Sequence, residues 1–69
     1  MNTDALLSLA RTACPVWELC EGDLDQWVMR TEAGVNLSCR RSMGAWFRHV
    51  PWRGWESISA DEAAELLKA

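Results

Sequence analysis

These 69 residues suffice for one domain, near the lower size limit for independent folding. Ten acidic and seven basic side chains give a net charge of −3, which argues against non-specific binding to phosphate backbones or anionic membranes. Five tryptophans and one phenylalanine indicate a small core filled with large rings, in place of the disulfides or metals on which short chains often depend.

The three cysteines form an odd set that does not suggest a disulfide framework. The N-terminal residues lack the basic region of a secretory signal, and no stretch has the length of a membrane span. We therefore expect a cytoplasmic protein with reduced thiols and no membrane partner.

The N-terminal stretch has the apolar period of a helix. Its apolar residues stand at positions i, i+3, i+4 and i+7, namely Leu6, Leu9, Ala10 and Ala13, which places them on one side of a helix. Pro15 disfavours helical backbone at the residue before it. The sequence therefore predicts a helix over 4–13.

The C-terminal stretch carries the clearest helix signal. Ser59 and Glu62 have the spacing of a capping box, in which the serine hydroxyl accepts a hydrogen bond from the glutamate amide and the glutamate side chain reaches back. This pattern predicts a helix over 60–68, whose buried side carries Ala63, Leu66 and Leu67.

Three segments between the predicted helices alternate in polarity as strands do, at 16–21, 26–31 and 35–41. The alternation is clearest in the third, which is predicted to turn Val35, Leu37 and Cys39 towards the core. Gly34 can take a positive φ, so it predicts a short hairpin connection between the second and third segments.

Residues 43–50 fit two structures. A helix would place four apolar residues on one side: Met43, Trp46, Phe47 and Val50. A strand over 45–50 agrees with the aromatic and β-favouring composition, followed by a turn at 51–54 and a further strand at 55–58. We favour the strand, because Gly44 would weaken a helix by about 1 kcal/mol relative to alanine.

Together these elements predict a single α+β domain spanning residues 1–69. It consists of an N-terminal helix, an antiparallel β-meander of three to five strands, and a C-terminal helix packed on the sheet. One face of such a sheet can remain in contact with water.

Cysteine and histidine chemistry is not indicated. The candidate ligands lack the closely spaced cysteine pair typical of structural zinc sites; they are Cys14, Cys20, Cys39 and His49. A cysteine nucleophile would need His49 as its base, and no oxyanion-hole or Gly-rich sequence accompanies them. We expect no metal, no cofactor and no enzymatic activity.

A block of basic charge lies between two acidic flanks. Residues 40–53 contain no acid and four arginines: Arg40, Arg41, Arg48 and Arg53. Arginines interleaved with aromatic rings are typical of single-strand nucleic-acid binding, in which Trp46 and Trp52 would stack on bases. Alternatively, these arginines form a solvated face that carboxylates on neighbouring strands neutralise.

Protein–protein binding suits these residues better, because tryptophan and arginine are the side chains most enriched in interface hot spots. Five tryptophans exceed what so small a core can enclose. The candidate anchors are Trp52 in the turn 51–54, then Arg53, Arg48 and Arg41. An acidic segment offers a second surface for a basic partner, formed by Glu18, Glu21, Asp23 and Asp25. Exposed rings would also support a homodimer.

In its length, acidic balance, tryptophan content and capped terminal helix, the chain is similar to small proteins of phages and mobile elements. Among these it most resembles the anti-CRISPR inhibitors, which bind subunits of a bacterial surveillance complex, some through clustered acids that mimic phosphate. The resemblance is one of general character and assigns no residue, and the basic block departs from a uniformly acidic mimic. It implies a protein that inhibits or regulates a bacterial complex by steric or electrostatic occlusion.

Overall fold

The computed structural model describes residues 2–19 and 25–68. Two helices, α1 (Thr3–Ala13) and α2 (Ala60–Lys68), flank five strands in the sequence: β1 (Val16–Leu19), β2 (Gln26–Arg30), β3 (Asn36–Arg40), β4 (Ala45–Val50) and β5 (Gly54–Ile58). The strands pair in chain order as one antiparallel meander, and α1 and α2 pack against each other on one face. The predicted α+β fold is confirmed.

The first helix begins with a side-chain cap. The Asn2 side chain accepts a hydrogen bond from the Ala5 amide at 2.7 Å, which satisfies one of the donors that a helix start leaves free. Cys14 is extended and closes the helix, with its amide donating to the Ala10 carbonyl at 2.8 Å. The helix thus ends before Pro15, as the sequence predicts.

The second helix is capped by Ser59, whose hydroxyl accepts a hydrogen bond from the Glu62 amide at 3.1 Å. Asp61 and Glu62 lie in its first turn and Lys68 in its last, an arrangement that favours the helix dipole at both ends. Its buried residues are Ala63 and Leu67.

The ambiguous segment forms a strand from Ala45 to Val50. It follows a short 3₁₀ turn, Arg41–Met43, which Gly44 ends in the left-handed conformation. Trp46 then lies opposite Cys39 on β3 and Ile58 on β5. This register puts the indole on the helix-covered face of the sheet. A helix over 43–50 could not have paired with both neighbouring strands.

The core lies between that face of the sheet and the two helices. The sheet contributes Met29, Leu37, Cys39 and Trp46, none of which retains any exposed surface. The helices contribute Leu6, Leu7, Ala10, Ala63 and Leu67. Burial of Trp46 alone removes on the order of 150–250 Å² from water. The opposite face of the sheet is not covered by a described element, and it carries the exposed side chains of His49 and Trp55.

Candidate protein-binding surface

Exposure increases along the β4–β5 hairpin from its base to its tip. At the base, Trp46 is fully buried, and α2 packs on β4. Further along β4, Arg48 and His49 are exposed, and Trp52 in the connecting turn exposes 103% of its reference area. The outer half of the hairpin therefore extends past the part of the sheet that the helices cover.

The tip is a tight turn that has a tryptophan at a position where glycine or asparagine is usual. The Arg53 amide donates to the Val50 carbonyl at 3.0 Å, which closes a four-residue turn with Pro51 in its second position. Trp52 occupies the third position with φ +74°, and it is the only described residue other than glycine with a positive φ. A type II turn requires this conformation at that position and is normally built with glycine or asparagine there.

Two further aromatic groups lie on the uncovered sheet face of the same hairpin. His49 and Trp55 are opposite each other on β4 and β5, and their rings meet edge to face with centroids 5.2 Å apart. The Trp55 side chain remains 45% exposed. Sequence analysis did not single out Trp55 or this pair. Because side chains alternate between the two faces along a strand, His49 lies on the face opposite Trp46.

The basic groups of the tip differ in their pairing. Arg53 Nη1 lies 3.5 Å from Glu56 Oε1, with both side chains well exposed. Arg48 lies opposite Glu56 in the register and forms no ion pair with another described residue. We call the exposed outer part of the hairpin the hairpin surface. Arg48 lies on the helix-covered face of β4, and His49 and Trp55 lie on the other face. Trp52 and Arg53 lie in the turn.

The other two arginines of the basic block lie at the opposite end of β4. Arg41 Nε donates to Asp4 Oδ1 at 3.1 Å, so β3 and the 3₁₀ turn are linked to α1. Arg40 lies 3.8 Å from Asp25 and donates to Gln26 Oε1 at 3.2 Å. The structure therefore separates Arg41 from the candidate anchors Arg48, Trp52 and Arg53 with which the sequence grouped it.

Asp25 is held within the chain. Its carboxylate accepts hydrogen bonds from both the amide and the hydroxyl of Ser42, and its carbonyl accepts from the Arg41 amide at 3.0 Å. The hydroxyl bond from Ser42, followed by its amide bond and the charges of Arg40 and Arg41, lowers the pKa of Asp25. Of the predicted acidic surface, the side chain of Glu18 and the whole of Glu21 and Asp23 lie outside the described residues.

One part of the nucleic-acid alternative is wrong. That alternative required Trp46 to stack on bases, but Trp46 has no exposed surface. The reason is its strand register, which turns it towards the helices, whereas Trp52 in the turn is free of that constraint. The expectation that so small a core cannot enclose all five tryptophans is confirmed by the exposure of Trp52 and Trp55.

The described cysteines are buried and do not approach His49. Cys39 lies on the helix-covered face and His49 on the other. Burial, with a smaller contribution from the Asp25 charge, raises the pKa of the Cys39 thiol to about 11. Burial and then the charge of Glu32 also raise the pKa of Cys14. No cluster of three metal-ligating side chains exists within residues 2–19 and 25–68.

In the described part of the chain, neither helix combines the length and apolar character needed to cross a membrane. Comparisons with protein-family models, with curated proteins and with solved structures found no match. The resemblance to anti-CRISPR inhibitors therefore stays a prediction, and the surface itself must carry the functional argument.

Proposed function

We propose that this chain is a non-catalytic binding protein whose hairpin surface docks on another protein, with Trp52 as the anchor. The observation that carries the proposal is a fully exposed tryptophan held at positive φ on the tip of a hairpin. Docking would block whatever surface it covers, so the mechanism is steric occlusion. By the resemblance to anti-CRISPR inhibitors, the partner would be a subunit of a bacterial complex.

Trp52 is unfavourable for the isolated domain in two ways. A residue with a Cβ atom in the left-handed region costs about 1–2 kcal/mol relative to right-handed backbone. The indole also contributes nothing to the core, because the whole side chain contacts water. Local strain with no compensating internal contact is found preferentially at functional sites, and a bound partner would supply the missing burial.

The surroundings of Trp52 suit an anchor in a protein interface. Hot spots are enriched in tryptophan and arginine, and they are central residues surrounded by groups that exclude water. Here Arg48 and Arg53 supply donors, while the His49–Trp55 pair supplies an apolar flank. A matching partner would have an apolar pocket for the indole and carboxylates at its rim.

Charge pairing favours a protein partner over a single-stranded nucleic acid. A nucleic-acid interface needs several free cations along a stacking surface. In this chain Arg40 and Arg41 engage Asp25 and Asp4, Arg53 faces Glu56, and Trp46 is buried. The sequence alternative of a nucleic-acid binder thus loses the stacking ring of Trp46, and three of its four arginines lie beside a carboxylate that repels phosphate.

The absence of catalysis is part of the proposal. A thiolate nucleophile needs a lowered pKa and a base in reach. Burial instead raises the pKa of Cys39 to about 11, and His49 lies on the opposite face of the sheet. Among the described residues, this leaves binding as the function that the exposed side chains support.

The test compares capture of proteins from a bacterial lysate by the wild type, Trp52→Ala and Met43→Ala. Met43 is a matched control, because it is 73% exposed and apolar but lies at the other end of β4. We expect a band that Trp52→Ala loses and Met43→Ala retains, followed by at least about a 30-fold loss of affinity for the purified partner.

Equal capture by all three proteins would contradict the role of Trp52. Sedimentation of the wild type alone provides a second reading of the same surface. A homodimer abolished by Trp52→Ala would mean that the partner is a second copy of this chain, and loss of capture without a dimer would mean that it is another protein.

A further inference from the structure

A second feature lies at the other end of the molecule from the hairpin tip. A cavity of about 370 Å³ opens between one flank of α1 and the helix-covered face of β1 and β2. Its lining includes Asp4, Ser8, Arg11, Trp17, Trp27 and Arg41. No residue of the hairpin surface contributes to it, so its function can be tested separately.

The cavity has the size of a ligand site. Its volume of about 370 Å³ lies within the range of small-molecule sites, about 300–1,000 Å³. It is a recess beside two large rings that the described residues leave open.

The lining of the cavity includes two stacked tryptophan rings. Trp17 and Trp27 stack with ring centroids 5.0 Å apart and an angle of 29° between their planes. Both are only partly buried, although they lie on the face of the sheet that carries the core. Partly covered indole rings that line a recess favour a flat aromatic group, which packs against them in an offset or edge-to-face geometry.

Among the described residues that line the cavity, positive charges outnumber negative ones. Arg11 forms no ion pair with a described residue, and Arg41 uses only its Nε–H in its bond to Asp4. Two guanidinium groups thus stand against one carboxylate. Asp4 fixes the position of Arg41, and the terminal N–H groups of Arg41 have no described partner, which leaves a planar donor group suited to an oxyanion.

From these observations we infer that the cavity binds a small planar aromatic molecule carrying an anionic group, a carboxylate or a phosphate. The ring lies against Trp17 and Trp27, and the anion is held by Arg11 and Arg41. Neither the aromatic rings nor the guanidinium groups alone would select this class. Because both line the same recess, each can contact a different part of one ligand.

Nuclear magnetic resonance of the tryptophan indole N–H groups can test this directly, since each of the five rings gives its own signal. The probes are indole-3-acetate for a carboxylate and adenosine monophosphate for a phosphate. Tryptamine and adenosine serve as controls that keep the ring and replace or remove the anion. We expect the signals of Trp17 and Trp27 to shift with at least one anionic probe, while that of Trp52 does not. Each anionic probe is compared with its own ring-matched control, and the anion whose presence strengthens binding is the one that the site holds.

The variant Arg11→Gln should weaken binding of the anionic probe at least about fivefold, consistent with loss of a solvent-exposed charge-assisted bond. Arg48→Gln is the matched control, because Arg48 is an exposed arginine outside the cavity, and it should leave affinity unchanged. The inference is overturned if neither anion shifts Trp17 and Trp27 at concentrations up to about 10 mM, the weak limit for a specific site. It is also overturned if tryptamine binds as tightly as indole-3-acetate. Both results would leave the proposal for Trp52 intact.

Discussion

Trp46 and Trp52 stand six positions apart on the same hairpin, and their surroundings are opposite. Trp46, at the base, is fully buried between the sheet and the helices, whereas Trp52, at the tip, is fully exposed. The base of the hairpin therefore serves the fold and the tip does not. The same residue type stabilises the domain at one position and costs free energy at the other.

The difference follows from what covers each position. At the base, α2 packs on β4, and Trp46 is flanked by Cys39 and Ile58. At the tip, no described element reaches the turn, so the indole has only water as a neighbour. This combination of strain and exposure is the basis on which we propose that Trp52 docks on another protein.

The largest expected effect is at the base. We expect Trp46→Ala to lower the free energy of unfolding by about 3–5 kcal/mol, since it removes a buried ring and leaves a cavity. This loss is comparable with the whole net stability of a domain this small, roughly 3–5 kcal/mol. Circular dichroism and urea unfolding should show a largely unfolded variant. A stable Trp46→Ala domain would mean that the base is not the centre of the core.

At the tip we expect a smaller change in the opposite direction. Trp52→Gly should raise the free energy of unfolding by up to about 1 kcal/mol, because glycine adopts positive φ without a steric cost. Trp52→Ala is the control, since it removes the indole but keeps the Cβ atom and should give no such gain. If urea unfolding shows that Trp52→Gly destabilises the domain, the indole makes a stabilising contact within the chain.

The 3₁₀ turn before β4 can be compared with the tip through the pH dependence of stability. The pKa of Asp25 is lowered in the folded state, so its bonds to Ser42 stabilise the fold above the usual carboxyl pKa. That stability is lost as the pH falls through the lowered value. Asp25→Asn should therefore show a smaller loss of thermal stability between pH 7 and pH 3 than the wild type.

Ser42→Ala provides an independent check on Asp25, because it removes the hydroxyl that contributes most to the lowering of the Asp25 pKa. We expect its stability to depend less on pH in the same range. If both variants lose stability with falling pH as steeply as the wild type, another carboxylate governs acid unfolding.

The smallest expected effect is at the exposed ion pair of the tip. Arg53 and Glu56 are 3.5 Å apart with largely exposed side chains, and such pairs contribute about 0.2–1 kcal/mol at most. We expect Arg53→Gln to change the free energy of unfolding by less than about 0.5 kcal/mol. Its effect should instead appear as slower association with the partner at low salt, measured by stopped flow.

Much of the fold could be predicted because its signals are local. The Asn2 and Ser59 caps and the 3.6-residue apolar period of both helices each depend on residues a few positions apart. The two-residue alternation of β3 is equally local, as is the positive φ of Gly34. Such signals act over one turn or one hairpin, where sequence distance and spatial distance nearly coincide.

The candidate site was predicted only in part. Trp52 was identified because a side chain in a turn lies on neither face of the sheet, so sheet packing does not bury it. The pairing of Arg41 with Asp4, 37 positions away, had no local signal. Nor did the meeting of Trp17 and Trp27 beside α1, which depends on the pairing of β1 with β2 and on where the helix lies.

The sequence by itself thus determined the two helices and the first three strands, and that more indole rings exist than a small core can enclose; residues 43–50 fitted both a helix and a strand. Only the tertiary structure decided which rings are buried, which arginines have a carboxylate beside them, and where a recess remains. The physical reason is that caps and periodicity are satisfied within a few residues, whereas burial and ion pairing depend on strand register and helix placement, which bring distant residues together.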